Sequence, residues 1–186
     1  MSTVVAPEVT ATTTWIIDPV HSTAQFKVKH MMISNVKGEF TAVTGKLNLN
    51  EEDITKSLVE ASIDAATINT RDAQRDAHLK SADFLDVEKF PALTFKTTRI
   101  AKKGDDELTV AGDLTIHGVT RNVVFAVEGP SAPTKDQWGN LRVGLSASTR
   151  INRKDFGLTW NAALETGGIL VGDDVTFTLD TEFIKA

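Results

Sequence analysis

The chain of 186 residues contains no cysteine and no tyrosine. The first absence removes disulfides, thiolate metal sites, iron–sulfur clusters and cysteine nucleophiles together, and says nothing firm about redox compartment. The second removes the aromatic ring that carries a hydroxyl. What remains is 9 Phe and 3 Trp, rings that fill apolar space with at most an indole donor. No apolar run approaches the ~20 residues that cross a bilayer as a helix. The 20 basic residues are scattered among 25 acidic ones, for a net charge of −5. That balance argues against a nucleic-acid partner, whose phosphates call for clustered Lys and Arg. No basic amphipathic segment marks a membrane-docking face.

Residues 1–14, with Pro7 and the run Thr12, Thr13, Thr14, read as a small, polar, flexible leader. They lack the basic start and apolar stretch of a secretory signal, so the cytoplasm is the expected compartment, with the periplasm or secretion the alternative if the true start lies elsewhere. Residues 15–186 then form one domain, long enough for a substantial core at 41% hydrophobic content.

From Trp15 onward the apolar period is two, the mark of strands with one buried face. Ala24, Phe26 and Val28 alternate with Gln25, Lys27 and Lys29. The same alternation runs through Val59 to Ile63, Leu108 to Ile116, Val123 to Val127, Leu141 to Ala147 and Val175 to Phe183. Turn residues at Lys103 to Asp106 and Asp136 to Asn140 favour antiparallel neighbours. One interval, Thr70 to Asp86, holds helix-tolerant residues without β-branching and predicts the single helix. A helical turn is expected at Asn161 to Glu165, ended by Gly167 and Gly168. The fold is all-β, and this pattern allows a sandwich or a closed barrel. Gly38, Gly45, Gly112, Gly118 and Gly144 lie in or beside strands, where they serve either closure or ordinary turns.

Longer motifs carry a family likeness. Trp15 to Ser22 (WIIDPVHS), Asp76 to Phe84 (DAHLKSADF), Phe90 to Phe95 (FPALTF), Gly112 to Thr120 (GDLTIHGVT) and Ile151 to Gly157 (INRKDFG) resemble the YceI-like family of lipid-binding bacterial proteins, in that family's order and over nearly the whole chain. The resemblance implies an elongated antiparallel lipocalin-like β-barrel of about eight strands, with one helix near one end and an apolar channel. It implies a long-chain isoprenoid ligand of the polyprenyl quinone or polyprenyl phosphate type, and it allows a homodimer. Fatty acids and fatty amides are the alternative ligands, because an apolar channel discriminates weakly between similar chains.

A prenyl chain offers only apolar surface, so its walls are sought among inward strand positions. Phe26, Val28, Phe40, Leu47, Ile63, Leu93, Phe95, Val110, Leu114, Val143, Leu145 and Phe177 are the expected lining, with Phe84 and Phe156 at the mouth or floor. Each such residue is as ordinary in a core as in a pocket wall. His30, which continues the alternation of Phe26 and Val28, and Arg153 are the candidates for a polar head group. His21, His30, His78 and His117 form no HxH or HExxH pattern, so no metal site is expected. Gly144 to Ser148 ends in serine where a nucleophile elbow needs glycine. Gly167 to Gly172 lacks the lysine of a phosphate loop. A binding protein without cofactor is favoured over an enzyme acting on such a lipid, and over a filled barrel acting through its surface.

Overall fold

In a computed structural model, which describes residues 11–186, twelve strands and one α-helix follow one another along the chain. They are β1 (Thr12–Ile17), β2 (Thr23–His30), β3 (Ser34–Phe40), β4 (Val43–Asn50), β5 (Leu58–Asp64), β6 (Ile68–Asn69), α1 (Ala73–Lys80), β7 (Ala92–Lys102), β8 (Glu107–Ile116), β9 (Val119–Glu128), β10 (Thr134–Lys135), β11 (Leu141–Asn152) and β12 (Val171–Lys185). All pairings are antiparallel. The sheet order β11-β9-β8-β7-β5-β4-β1-β12 returns to β11 through β11–β12 pairs that run from Arg142↔Ile184 to Asn152↔Asp174. Eight strands therefore close into a barrel, the all-β architecture expected, and closure leaves few open sheet edges. The β2–β3 hairpin continues from the opposite edge of β12, through Phe26↔Phe177 and Phe26↔Gly38. The end at Val171 is called upper below, and the end at Lys185 lower.

Alternation decides which side chains point inward. Trp15, Val43, Leu47, Val143 and Phe183 are almost wholly buried, and each such side chain contributes roughly 1.5–3 kcal/mol by leaving water. Helix α1 occupies the middle of the predicted interval. Its N-cap is Asp72, whose carboxylate accepts from the Arg75 N–H at 2.8 Å, satisfying one of the first-turn donors.

Two expectations change. The barrel begins at Thr12, so Thr12 to Thr14 belong to β1, paired with Asn48 to Asn50; residues 1–10 of the expected leader lie outside the described residues. β-branched threonine suits an extended pleat, and the Trp15 indole donates to Thr13 Oγ1 at 2.9 Å. Asn161 to Glu165 is not helical. Asn161 Oδ1 accepts from the Val171 N–H at 3.0 Å and Ala163 bridges to Ile169, so Gly167 and Gly168, both at positive φ, turn a short extended loop. The helical turn lies earlier, at Arg153–Phe156, capped by Asn152 and ended by left-handed Gly157.

The lower end is tied by one guanidinium. Arg142 on β11 meets Asp18 at 2.7 Å, Asp136 at 2.7 Å and Glu182 at 2.6 Å, joining the end of β1, a turn, and β12. Asp18, His21 and Glu182 bring their ligand atoms within 4.8 Å of one another. Arg142 already lies against two of them, so the cation this cluster holds is a guanidinium. Arg142 first, and His21 second, hold the Asp18 carboxyl at about 2, and Arg142 likewise depresses Asp136.

A carboxyl depressed from its ordinary value stabilises the fold above about pH 4 and loses that contribution as pH falls through about 2. Arg142→Met leaves three carboxylates repelling one another at neutral pH. The variant should unfold at lower urea than the wild type near neutrality, with the gap closing as pH falls from about 4 towards about 2. A gap independent of pH in urea titrations would show that the cluster does not couple charge to closure.

Candidate ligand-binding site

Two apolar chambers lie in line inside the barrel. The lower spans about 870 Å³ of non-atom space, part of it open to solvent, against Ile17, Val59, Ala61, Ile63, Leu93, Phe95, Val110, Leu114, Phe125, Val127, Leu145, Ala147, Phe177, Leu179 and Phe183. The upper spans about 620 Å³ on the same measure, against Phe26, Val28, Phe40, Ile68, Leu79, Phe84, Leu85, Leu93, Ile116, Ile151, Leu158, Val171, Val175 and Phe177. Leu93 on β7 and Phe177 on β12 belong to both walls and mark the boundary. Besides these apolar residues, the lining includes only Thr94, Thr181 and Arg153.

Glycine shapes both chambers. Gly38 faces Phe26 across β2–β3, and Gly112 on β8 lies beneath the ring of Phe95 on β7; a methyl group at either position would collide with the ring. The strand dips where the ring folds over it, a cross-strand exchange of glycine against aromatic. Phe26 then packs against Phe40 at 5.7 Å between ring centroids, and Phe95 against Phe125 at 5.2 Å, nearly edge to face.

The upper chamber has a polar margin. Arg153 is 3% exposed and donates from Nε to Gly172 O at 2.8 Å, from Nη1 to Leu158 O at 2.6 Å and to Trp160 O at 2.8 Å, and from Nη2 to Val171 O at 3.4 Å. Of its five N–H groups, one on Nη2 remains. Burial pushes the guanidinium down from its ordinary value and the charge of Asp173, 3.9 Å from Nη2, opposes that. Its main work is to fasten the 158–172 segment, four carbonyls at once. Beside it, Phe84 and Trp160 form a triangle with His78 of α1, at 5.1 Å from His78 to Phe84, 4.7 Å from His78 to Trp160 and 5.2 Å between Phe84 and Trp160. His78 Nε2 is 2.8 Å from the Asp83 carboxylate.

The expected lining divides. Ile63, Leu93, Phe95, Val110, Leu114, Leu145 and Phe177 face the lower chamber, and Phe26, Val28, Phe40, Phe84 and Arg153 the upper, Leu93 and Phe177 facing both. Leu47, Val143 and Phe156 are packed in the core outside both chambers, because their neighbours already fill the space they point into. His30 lies beyond Val28 at the end of β2, opposite Ser34 and Val171, and lines neither. Arg150 and Lys154 are paired with Asp174 and Asp173 respectively. Phe125, Val127, Leu179 and Phe183 line the lower chamber without having been singled out, although the same alternation contains them.

Fold and site together define an eight-stranded lipocalin-like barrel with an apolar lumen. Residues 15–183 match the YceI-like domain, and the chain belongs to that family. The UPF0312 protein SA2479 of Staphylococcus aureus is 38% identical over 175 residues, 92% of this chain and 97% of its own length. The Campylobacter jejuni YCEI crystal structure superposes with a TM-score of 0.71 at 28% identity, over 85% of this chain and 90% of that one. A structure described as a polyisoprenoid binding domain, from Saccharophagus degradans, superposes at 0.68 with 15% identity, over 92% and 98%; at that identity the likeness speaks for the fold alone.

Gly112→Ala should destabilise by about 1–3 kcal/mol, the cost of overpacking a filled wall. Phe95→Leu should cost less in the Gly112→Ala background than alone, because the ring it removes is the one the methyl displaces. Urea unfolding of the two single variants and the double gives the coupling, and strict additivity would deny the contact.

Proposed function

We propose that the protein binds a long-chain isoprenoid lipid, of the polyprenyl quinone or polyprenyl phosphate type, inside the barrel, for carriage or sequestration. The observation that carries this reading is the pair of apolar chambers inside the barrel, which share Leu93 and Phe177 as wall residues. A change of rotamer at those two side chains would join the chambers into one channel suited to a long chain rather than a compact ring. Each methylene placed there contributes about 0.8 kcal/mol, offset by the cost of association and of ordering the chain. The Saccharophagus degradans domain, described as binding polyisoprenoid, supports the ligand class. Apolar walls broken by two threonines and one largely committed arginine favour holding a lipid over transforming it. The head group sits at the upper end, where the remaining Nη2 N–H of Arg153 meets an anionic or carbonyl oxygen.

Organic extraction of the purified protein, followed by mass spectrometry, should yield a prenyl chain. Leu93→Trp fills the boundary between the chambers and should lower occupancy by roughly tenfold, the equivalent of two lost methylenes. An unchanged prenyl load would place the ligand elsewhere, and preferential recovery of fatty acid would assign the alternative class. Arg153→Gln should weaken a polyprenyl phosphate more than the corresponding hydrocarbon, and equal losses would remove Arg153 from the head-group site.

A further inference from the structure

The β2–β3 hairpin ends in three exposed apolar residues. Met31, Met32 and Ile33 are 39%, 57% and 79% exposed, at the upper end where Met31 N–H donates to Leu170 O at 2.8 Å. The turn closes through Ile33 N–H to His30 O at 3.1 Å, with φ of 50° at Met31 and 60° at Met32. Consecutive left-handed residues in a hairpin turn are the province of Asn and Gly, which pay no steric penalty there. Two methionines in that conformation, displayed to solvent, oppose both local backbone preference and solubility. Such a choice marks a functional surface.

Behind the tip the outward face is basic. Lys27 lies directly opposite Lys37 across β2–β3, a like-charge pairing that costs stability unless an anion is present. Lys29 continues the row towards the tip. Lys27 and Lys37 share an open groove with Arg71, in which Glu39 is the one carboxylate. On a chain of net charge −5, this local excess of cations sits within reach of the apolar tip. The inward residues of the same strand, Phe26 and Val28, line the upper chamber.

From this juxtaposition of apolar tip and basic face we infer that the β2–β3 hairpin docks the protein on an anionic membrane surface. Met31, Met32 and Ile33 enter the interface, and Lys27, Lys29 and Lys37 lie against lipid phosphates. The upper chamber thereby faces the bilayer. Flexible thioether side chains suit a fluid, irregular acyl boundary, and each lysine near an anionic surface strengthens attachment roughly fivefold. The feature escapes a search for basic amphipathic helices because it is built on strand alternation, Lys outward and Phe or Val inward. Docking stands whether or not the lumen holds a prenyl chain.

The test is flotation of the full chain with vesicles of phosphatidylcholine alone and of phosphatidylcholine mixed with phosphatidylglycerol. The wild type should float with the mixed vesicles, remain free of the neutral ones, and be released by added salt. Lys27→Glu with Lys37→Glu should lower binding by more than tenfold. Met31→Asn with Met32→Gly should abolish binding while raising the thermal midpoint, since Asn-Gly suits the turn; Val124→Glu, on another face, should do neither. Failure of the wild type to float with anionic vesicles would overturn the inference, as would undiminished floating of either double variant. A lowered thermal midpoint in the Asn-Gly variant would show the methionines to be packing groups. Loss of a concentration-dependent dimer in that variant would show that a second copy covers the tip. The prenyl load of each variant, measured by extraction, reports separately on the lumen.

Discussion

Fifteen residues, Val171–Lys185, border three other strands, and the lumen exists because they do. Along one edge β12 pairs with β11; along the other it pairs with β2 from His30 to Thr23 and then with β1 from Ile17 to Trp15. At about 3.3 Å per residue the strand is ~50 Å long, and two partners must be laid end to end to cover its second edge. A strand that long forces an elongated barrel. Every inward residue along it, from Val171 through Val175, Phe177 and Leu179 to Phe183, then faces the same enclosed space. Closure also fixes register, because a one-residue slip would turn that whole row outward.

An enclosed row of apolar side chains ordinarily collapses on itself, since interiors pack as densely as organic crystals. Here the collapse is incomplete. Phe26 and Phe95 fold their rings over Gly38, directly opposite, and Gly112, on the diagonal of the neighbouring strand. The volume a larger strand residue would claim is left to the chambers. Glycine in a strand interior costs about 0.5–1 kcal/mol relative to alanine, so these positions sacrifice local stability to keep the lumen open.

Legibility from sequence follows the same division. Alternation reveals faces, so β2, β8, β9 and β12 stand out in the chain. It cannot separate a core residue from a chamber wall: Leu47 and Leu114 alternate identically, and only the neighbours that the fold brings to each decide which is packed and which borders space. Val143 was expected at the ligand for that reason and lies in the core; Phe156, expected at the mouth or floor, sits in the helical turn after β11 and is core as well. The threonines of β1 resemble loop composition until pairing with β4 requires an extended edge. Asn161 to Glu165 has helical residues, yet the Asn161 amide is bound to Val171, and that tertiary tie overrides propensity. Arg153 was legible as a head-group candidate; its burial and its four carbonyl partners, 5 to 19 residues distant, were not.

The two ends of the barrel differ in charge and in what their side chains are free to do. At the lower end Arg142 is saturated by three carboxylates, and the excess there is negative. At the upper end Lys27, Lys29 and Lys37 flank the hairpin, Arg150 and Lys154 are paired with Asp174 and Asp173, and Arg153 is committed to four carbonyls. On the proposed reading, the three carboxylates disfavour an anionic head at the first end and the hairpin lysines favour it at the second, which would give the lumen a direction. A tail pointing down towards Phe183, with its head beneath Trp160 and His78, satisfies both the apolar wall and the charge. Reversing the lipid would bury its head among Phe125, Val127 and Phe183, where no cation faces it and the desolvation of the charge goes uncompensated.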